Sequence, residues 1–326
     1  MHTIKDIAEA AGVSAATVSR VINDSSYVSK ETREVVEKAI ERLNYTPNRH
    51  AQNLRRGDTH NLGIITTTLT GSVIDLVESF MEFAHDANYT TTLFNSYNNP
   101  DVELEALNRL KSKELDGIFI IYRANEWSII EPYLKYGPIV TLHYLDDEQI
   151  KIPSVYIDHY DGYRMILDDL WRNGARSFIN VLSSRKGVNT QRRIQAYLDF
   201  CEEHEIQPHD IEPFLNMTDH TYGKKVLRLI NEMDDQPDAI IANSDLVASG
   251  IISELNRAGV LMPEEISVVG FDNQKISYLM DFSSVDYSIQ EQGRNACRIL
   301  LNKLEDKEMY ELIPLEFKLI KRGTTK

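Results

Sequence analysis

The sequence predicts a protein in two unlike parts, a small all-α head followed by an α/β body of two doubly wound parallel-sheet lobes. Three observations predict it. The first fifty residues place apolar side chains at helical spacing, broken by a glycine turn, with no strand alternation. From Leu62 onward, short apolar runs alternate with amphipathic segments of helix length, the pattern of parallel sheets covered by helices on both faces. That pattern continues for about 265 residues, which is long for one such sheet and suits two.

Thr3 is placed to cap a helix over 4–10, with Asp6 in its first turn and Ile4, Ile7, Ala8 and Ala11 on its apolar face. Gly12 permits a sharp turn. Ser14 can cap a second helix over 15–22, in which Val18, Val21 and Ile22 face inward. Ser29 can cap a third that runs to Leu43, with Val35, Val36, Ala39, Ile40 and Leu43 inward, and Pro47 closes the unit. Helix, glycine turn, helix and a supporting third helix make the helix-turn-helix arrangement. Its second helix turns Ala15, Ala16, Thr17, Ser19 and Arg20 outward. Small side chains at a helix N-terminus let the backbone approach base edges, and an arginine reaches phosphate or guanine. An ordinary surface helix has the same pattern, so the spacing by itself leaves both readings open. Residues 48–58, NRHAQNLRRGD, are polar and basic and read as a linker able to form a small helix against a partner.

In the body, strands are expected at 62–66, 90–95, 116–121, 138–144, 154–158, 177–182, 239–243 and 267–272. Helical stretches lie between them at 73–88, 101–113, 160–173, 190–204, 221–233 and 245–258. No repeat or low-complexity tract interrupts the pattern.

Composition narrows the function. The chain has 326 residues, 42% hydrophobic and 26% charged, as folded globular proteins do. No apolar run approaches the roughly 20 residues of a membrane span, and MHTIKDIAEAAG has no signal-peptide core, so a cytoplasmic protein is expected. Cys201 and Cys297 suit a reducing compartment. The net charge of −15 argues against a nucleic-acid partner for the whole chain. Its distribution is uneven, however: residues 1–58 hold 9 basic against 8 acidic side chains, and the remainder 26 against 42. No GxGxxG, P-loop, GxSxG or HExxH motif occurs, and the nine histidines show no ligand spacing, so neither an enzyme nor a cofactor or metal is expected.

The segments IKDIAEAAGVSAATVSRVIN and VSKETREVVEKAIERLNYTPNRHAQNLRRG resemble the head and hinge of the lactose-repressor (LacI/GalR) family of bacterial transcription regulators. LGII, NSDLVASG, the VVGFD strand and the terminal KRGTTK extend the resemblance over essentially the whole chain. It implies a DNA-binding domain over 1–47, a hinge over 48–58 and an effector-binding and dimerisation body over 59–326. In that body the N-lobe takes about 59–158 and 289–315, and the C-lobe about 159–288 and 316–326. It also implies a homodimer on a pseudo-palindromic operator, with Ala15, Ala16, Thr17, Ser19 and Arg20 in the major groove. Thr3, Ser14, Asn23, Arg33 and Asn48 would hold phosphates. Hinge residues including Ala51 would enter the minor groove, where Leu54 of each subunit wedges a base step.

By the same resemblance, the body has the periplasmic sugar-binding fold, two lobes closing on a small ligand. Arg193 would bind sugar hydroxyls or a carboxylate, and Asp245 would face it across a small polar pocket and accept from hydroxyls. Weaker candidates are Thr68 in the loop after the first strand, Tyr122 and His143 at strand ends, and Tyr287 in the late crossover SSVDYS, where it could stack on a sugar ring; Arg123, next to Tyr122, is similarly open. A lone histidine such as His143 is more often a hydrogen-bonded core residue. The family's glycine three residues after the arginine is here Ala196, and the aromatic before TYG is absent near Thr218. RRIQAYLDFC is similar to the trehalose-type branch, yet TTTLTGS and VTLHYL lack the extra arginines that branch uses for a sugar phosphate. The function implied is ligand-responsive repression of a carbohydrate-use operon. Control by a phosphorylated phosphocarrier protein, or a solute-binding protein without a DNA role, are the alternatives. The absence of a C-terminal leucine heptad favours a dimer over a tetramer.

Overall fold

The computed structural model describes residues 3–23, 27–45, 59–145 and 149–326, except for the side chain of Asn23. It divides into two compact units, residues 1–59 and 60–326.

The head comprises α1 (Ile4–Ala11), α2 (Ala15–Asn23) and α3 (Lys30–Arg42). Thr3 opens α1 with a reciprocal cap: the Asp6 amide donates to Thr3 Oγ1, and the Thr3 amide donates to Asp6 Oδ2 at 2.7 Å. Gly12 ends α1 at φ 65°, a conformation that side chains resist. Ser14 and Ser29 cap the next two helices through the amides of Thr17 and Thr32. Ile7, Ala8, Val18, Val21, Val36 and Ala39 form the core, with Ile22, Ile40 and Leu43 packed against it. Val35, expected inward, is 47% exposed. The buried row on α3 runs through Val36, Ala39, Ile40 and Leu43, and Val35 lies about one 100° step outside it.

The body carries two sheets. The first is ordered β2–β1–β3–β4, all parallel, from β1 (Asn61–Thr66), β2 (Thr90–Asn95), β3 (Gly117–Ile120) and β4 (Ile139–Thr141). The helices α4 (Ser72–Asp86), α5 (Pro100–Lys111) and the short α6 (Trp127–Ile130) connect them. The second sheet begins after α7 (His159–Arg172) and is ordered β5–β6–β7–β8–β9. Its strands are β5 (Phe178–Val181), β6 (Ala239–Ala242), β7 (Ser267–Phe271), β8 (Ser283–Asp286) and β9 (Lys318–Ile320). Between them run α8 (Val188–Glu203), α9 (Gly223–Asn231), α10 (Asp245–Ala258) and α11 (Lys275–Leu279). After β8 the chain returns to the first sheet as α12 (Ile289–Leu304), packed along α4 and beside β3 and β4.

Three expectations need correction. The 154–158 run is not a strand: Ser154 makes a single bridge to Thr141, and the segment carries the chain across to α7. SSVD, read as crossover, is β8, because its buried serines are satisfied by side chains: Ser284 Oγ donates to Asp245, and Ser283 Oγ pairs with Thr325 Oγ1. The second sheet is also not wholly parallel, since β9 runs antiparallel to β8 at the edge.

Two glycines set the distance between α9 and α10. A Cβ on Gly223 would lie 2.5 Å from the Gly250 carbonyl carbon, and one on Gly250 would lie 2.7 Å from that of His220. Backbone meets backbone here.

Candidate functional site

In open α/β sheets, ligands bind beyond the carboxyl ends of the parallel strands, and in the body those ends of both sheets converge. Beyond β7, Asp272 is buried. α8 brings Arg193 to it, and α7 opens with His159. Arg193 is only 6% exposed. Its Nη1 donates to the Asn243 carbonyl at 2.9 Å, and Nε and Nη2 point at His159 Nδ1 at 3.2 and 2.9 Å. Its guanidinium carbon lies 3.9 Å above the Phe271 ring. His159 stacks on Phe271 with 5.2 Å between centroids. Burial, then the adjacent Arg193, holds the His159 pKa well below the ordinary histidine value, so the ring is neutral and its Nδ1 accepts from the guanidinium.

Burial, reinforced by Asp245, raises the Asp272 carboxyl well above the usual range, and Arg193 pulls the other way. The hydroxyls of Tyr287 and Ser72 sit close enough to ease its ionisation. Beyond β3, the Tyr122 hydroxyl is raised by burial and then by Asp272. The ring of His143 meets Tyr122 and Trp127 edge-on at 6.5 and 5.5 Å. Burial, then Arg123, lowers the His143 pKa to about 4, so it too is neutral at pH 7. Among the described residues, Arg123 Nε, His143 Nε2, Asn243 Oδ1 and Ser96 Oγ are buried without a hydrogen-bond partner. Such atoms are rare in folded proteins and point to a missing polar ligand or water.

The structure brings Arg193, Tyr122, His143 and Tyr287 to this cleft. Tyr287 arrives differently from the expectation: His159 and Phe271 pack on its ring at 5.2 and 5.3 Å, leaving its hydroxyl as its polar contact, a bond to Ser72 Oγ at 3.2 Å. Thr68 follows β1 in the loop leading to Ser72, and its hydroxyl pairs with Thr70 at 3.1 Å. Asp245 is a clear correction. It does not face Arg193; it is fully buried, with Oδ1 accepting from Ser284 Oγ at 2.5 Å and Oδ2 from the Gln274 amide at 2.6 Å. Opening α10 beneath β7 and β8, it fills the space left by Gly270, where a Cβ would meet it. The acid that faces Arg193 is Asp272, at the end of VVGFD. Its place at the carboxyl end of an apolar run was the available signal. His159 and Ser72 gave no such signal.

An open groove of about 840 Å³ lies elsewhere, lined by Lys135, Lys151, Lys303 and Lys307 among others, and no cleft residue contributes to it.

Burial raises the Asp245 carboxyl to about 7, against the hydrogen bonds from Ser284 and Gln274. The folded state therefore holds this proton more tightly than the unfolded chain does. The associated stability is complete below about pH 4 and is lost as pH rises through about 7. Between about pH 4, where the unfolded chain loses this proton, and about pH 7, where the folded state does, this carboxyl lowers the wild-type melting temperature as pH rises. Asp245→Asn should flatten that slope. Equal slopes for the two proteins would show that this carboxyl is not held protonated.

In the head, Ala15, Ala16 and Arg20 are exposed, and Thr17, Ser19 and Arg33 are half-buried. Thr3 and Ser14 serve as caps. Asn48, Ala51 and Leu54, with the side chain of Asn23, lie outside the described residues.

Residues 3–48 match the family described as bacterial regulatory proteins, lacI family, and residues 167–325 match the periplasmic binding protein-like domain. The chain is 31% identical to an uncharacterized HTH-type transcriptional regulator, YkvZ of Bacillus subtilis, over 99% of its own length and 100% of that protein's. This chain belongs to the LacI family. Like other LacI-family members, it is a ligand-responsive, DNA-binding transcriptional regulator. Its structure is similar to the lac repressor dimer bound to operator and the anti-inducer ONPF, with a TM-score of 0.86 at 26% identity over 99% of both chains. It is also similar to a LacI-family regulator from Lactobacillus casei with bound glucose, with a TM-score of 0.70 at 26% identity, covering 81% of this chain and 99% of that one.

Proposed function

We propose that this LacI-family regulator acts in the cytoplasm as a homodimeric repressor of carbohydrate use, leaving a pseudo-palindromic operator when a sugar-like effector enters the cleft. The observation that carries the effector reading is the set of buried polar atoms without a partner just past the carboxyl ends of the strands, on Arg123 after β3, His143 after β4 and Asn243 after β6. Arg123 Nε is a donor, Asn243 Oδ1 an acceptor, and neutral His143 Nε2 takes either role with its tautomer. Sugar hydroxyls both donate and accept, so a polyol answers such a set where a purely anionic or apolar ligand does not. The similar regulator with bound glucose supports the same class.

In the head, Ala15, Ala16, Thr17, Ser19 and Arg20 read bases, and Thr3, Ser14, Asn23, Arg33 and Asn48 position the phosphates. Ala51 and Leu54 act in the minor groove. Exposed apolar side chains support the dimer: Ile74 and Met81 on α4, and Tyr278 and Leu279 on α11, the last two 75% exposed.

The test begins with operator DNA selected from a random pool by the full chain. The body alone, residues 60–326, should show no sequence-specific shift of that DNA, and sedimentation of the full chain should give a two-chain mass. A panel of mono- and disaccharides should contain one that releases the DNA. Specific binding by the isolated body would refute the assignment of DNA contacts to the head.

A further inference from the structure

The turn after β7 does two things within three residues. Asp272 faces the cleft, and Gln274 reaches across to the other lobe, where its Nε2 donates to Asp75 Oδ2 at 3.3 Å. Asp75 lies in the first turn of α4, one turn from Ser72, which takes the Tyr287 hydroxyl at 3.2 Å. The turn is held in an unfavourable backbone form, with φ 117° at Asp272 and 50° at Asn273, neither of them glycine. The C-lobe supplies the restraint. Asp245 accepts the Gln274 amide at 2.6 Å, Arg322 Nη2 donates to Asn273 Oδ1 at 2.8 Å, and the Asn273 amide donates to Ser284 Oγ at 3.0 Å. A strained turn fixed on one side and bridged on the other transmits displacement in place of absorbing it. The two helices it joins, α4 and α11, carry the exposed apolar side chains Ile74, Met81, Tyr278 and Leu279.

We propose that Gln274 and Asp75, backed by Tyr287 and Ser72, form an inter-lobe latch that holds the operator-competent arrangement, and that effector binding at Asp272 releases it. This rests on the effector reading above for its trigger, but the latch itself is testable without any effector. An effector hydroxyl that donates to Asp272 competes with the Tyr287 and Ser72 hydroxyls beside that carboxyl. Moving Asp272 shifts Gln274 two residues on. The effector thus needs differential contact with only one turn to bias both helices.

Gln274→Glu sets a carboxylate against Asp75 and should open the latch. Without effector, its affinity for the selected operator should fall about tenfold, within the usual range of coupling between sites. Adding Asp75→Asn restores a donor opposite the new acceptor, and the double variant should return to within about threefold of wild type. Loss of packing alone would give no such rescue. Wild-type affinity for Gln274→Glu, or a double variant as weak as the single one, overturns the latch. Hydrogen exchange gives a second reading independent of DNA. Segments 72–76 and 274–279 should exchange faster in Gln274→Glu and return toward wild-type rates in the double variant; unchanged exchange also overturns the proposal. If the latch responds and no sugar releases the operator, the effector reading fails and the latch stands.

Discussion

Arg193→Ala is expected to give a regulator that stays on its operator at sugar concentrations that release the wild type. The guanidinium is buried, shares its donors between His159 Nδ1 and the Asn243 carbonyl, and faces Asp272. A hydrogen bond from such a charged donor to an effector oxygen is worth about 1.5–3 kcal/mol. In effector affinity this corresponds to a loss of roughly 10- to 100-fold. The head is a separate unit, so operator affinity without effector should remain within about threefold of wild type. Arg193→Lys keeps the charge but not the planar fork, and should fall between the two. Operator release followed by fluorescence anisotropy during a sugar titration is the measurement. Release of the alanine variant at the wild-type concentration would remove Arg193 from the site.

Gly250→Ala is expected to be strongly destabilising. The added carbon would press on the His220 carbonyl, which is backbone and cannot rotate aside. Separating α9 from α10 would also open the core that Val226, Ile230, Val247 and Ile251 share. Overpacking of this kind costs about 3 kcal/mol or more when backbone must move. For a body of this size that lowers the melting temperature by roughly 6–12 °C. Gly187→Ala is the comparison, since its φ is −72° and the nearest atom to an added Cβ is 3.4 Å away. It should cost less than about 1 kcal/mol. Similar melting temperatures for the two variants would mean that the helices can part at little cost.

Much of the architecture follows from local rules. The caps at Thr3, Ser14 and Ser29 are side chains bonding amides three residues away, and such signals are written in consecutive letters. The strands β1, β3, β5, β6 and β7 are mostly apolar and buried almost throughout because both faces of a parallel sheet are covered. β8 and β9 escaped that reading. Ser283 and Ser284 are strand residues only because Thr325 and Asp245 satisfy their hydroxyls, and β9 is a three-residue edge. Val35 shows the limit within a helix: apolar spacing allowed two neighbouring valines on one face, and packing chose Val36.

The sequence by itself determined the two-part plan, the helix-turn-helix head and the alternation of strands and helices through most of the body. Tertiary structure decided what Arg193 meets. It placed His159 and Asp272 around the guanidinium, withdrew Asp245 beneath Gly270, and joined Gln274 to Asp75 across 199 residues of chain. Helix caps and apolar periods depend on neighbours a few positions away, so they can be read in order. A buried carboxylate takes its role from whichever donors the fold brings to it, and for Asp245 those came from residues 29 and 39 positions further along. Its charge state, its partners and its distance from the ligand are properties of that assembly, which no local stretch of sequence contains.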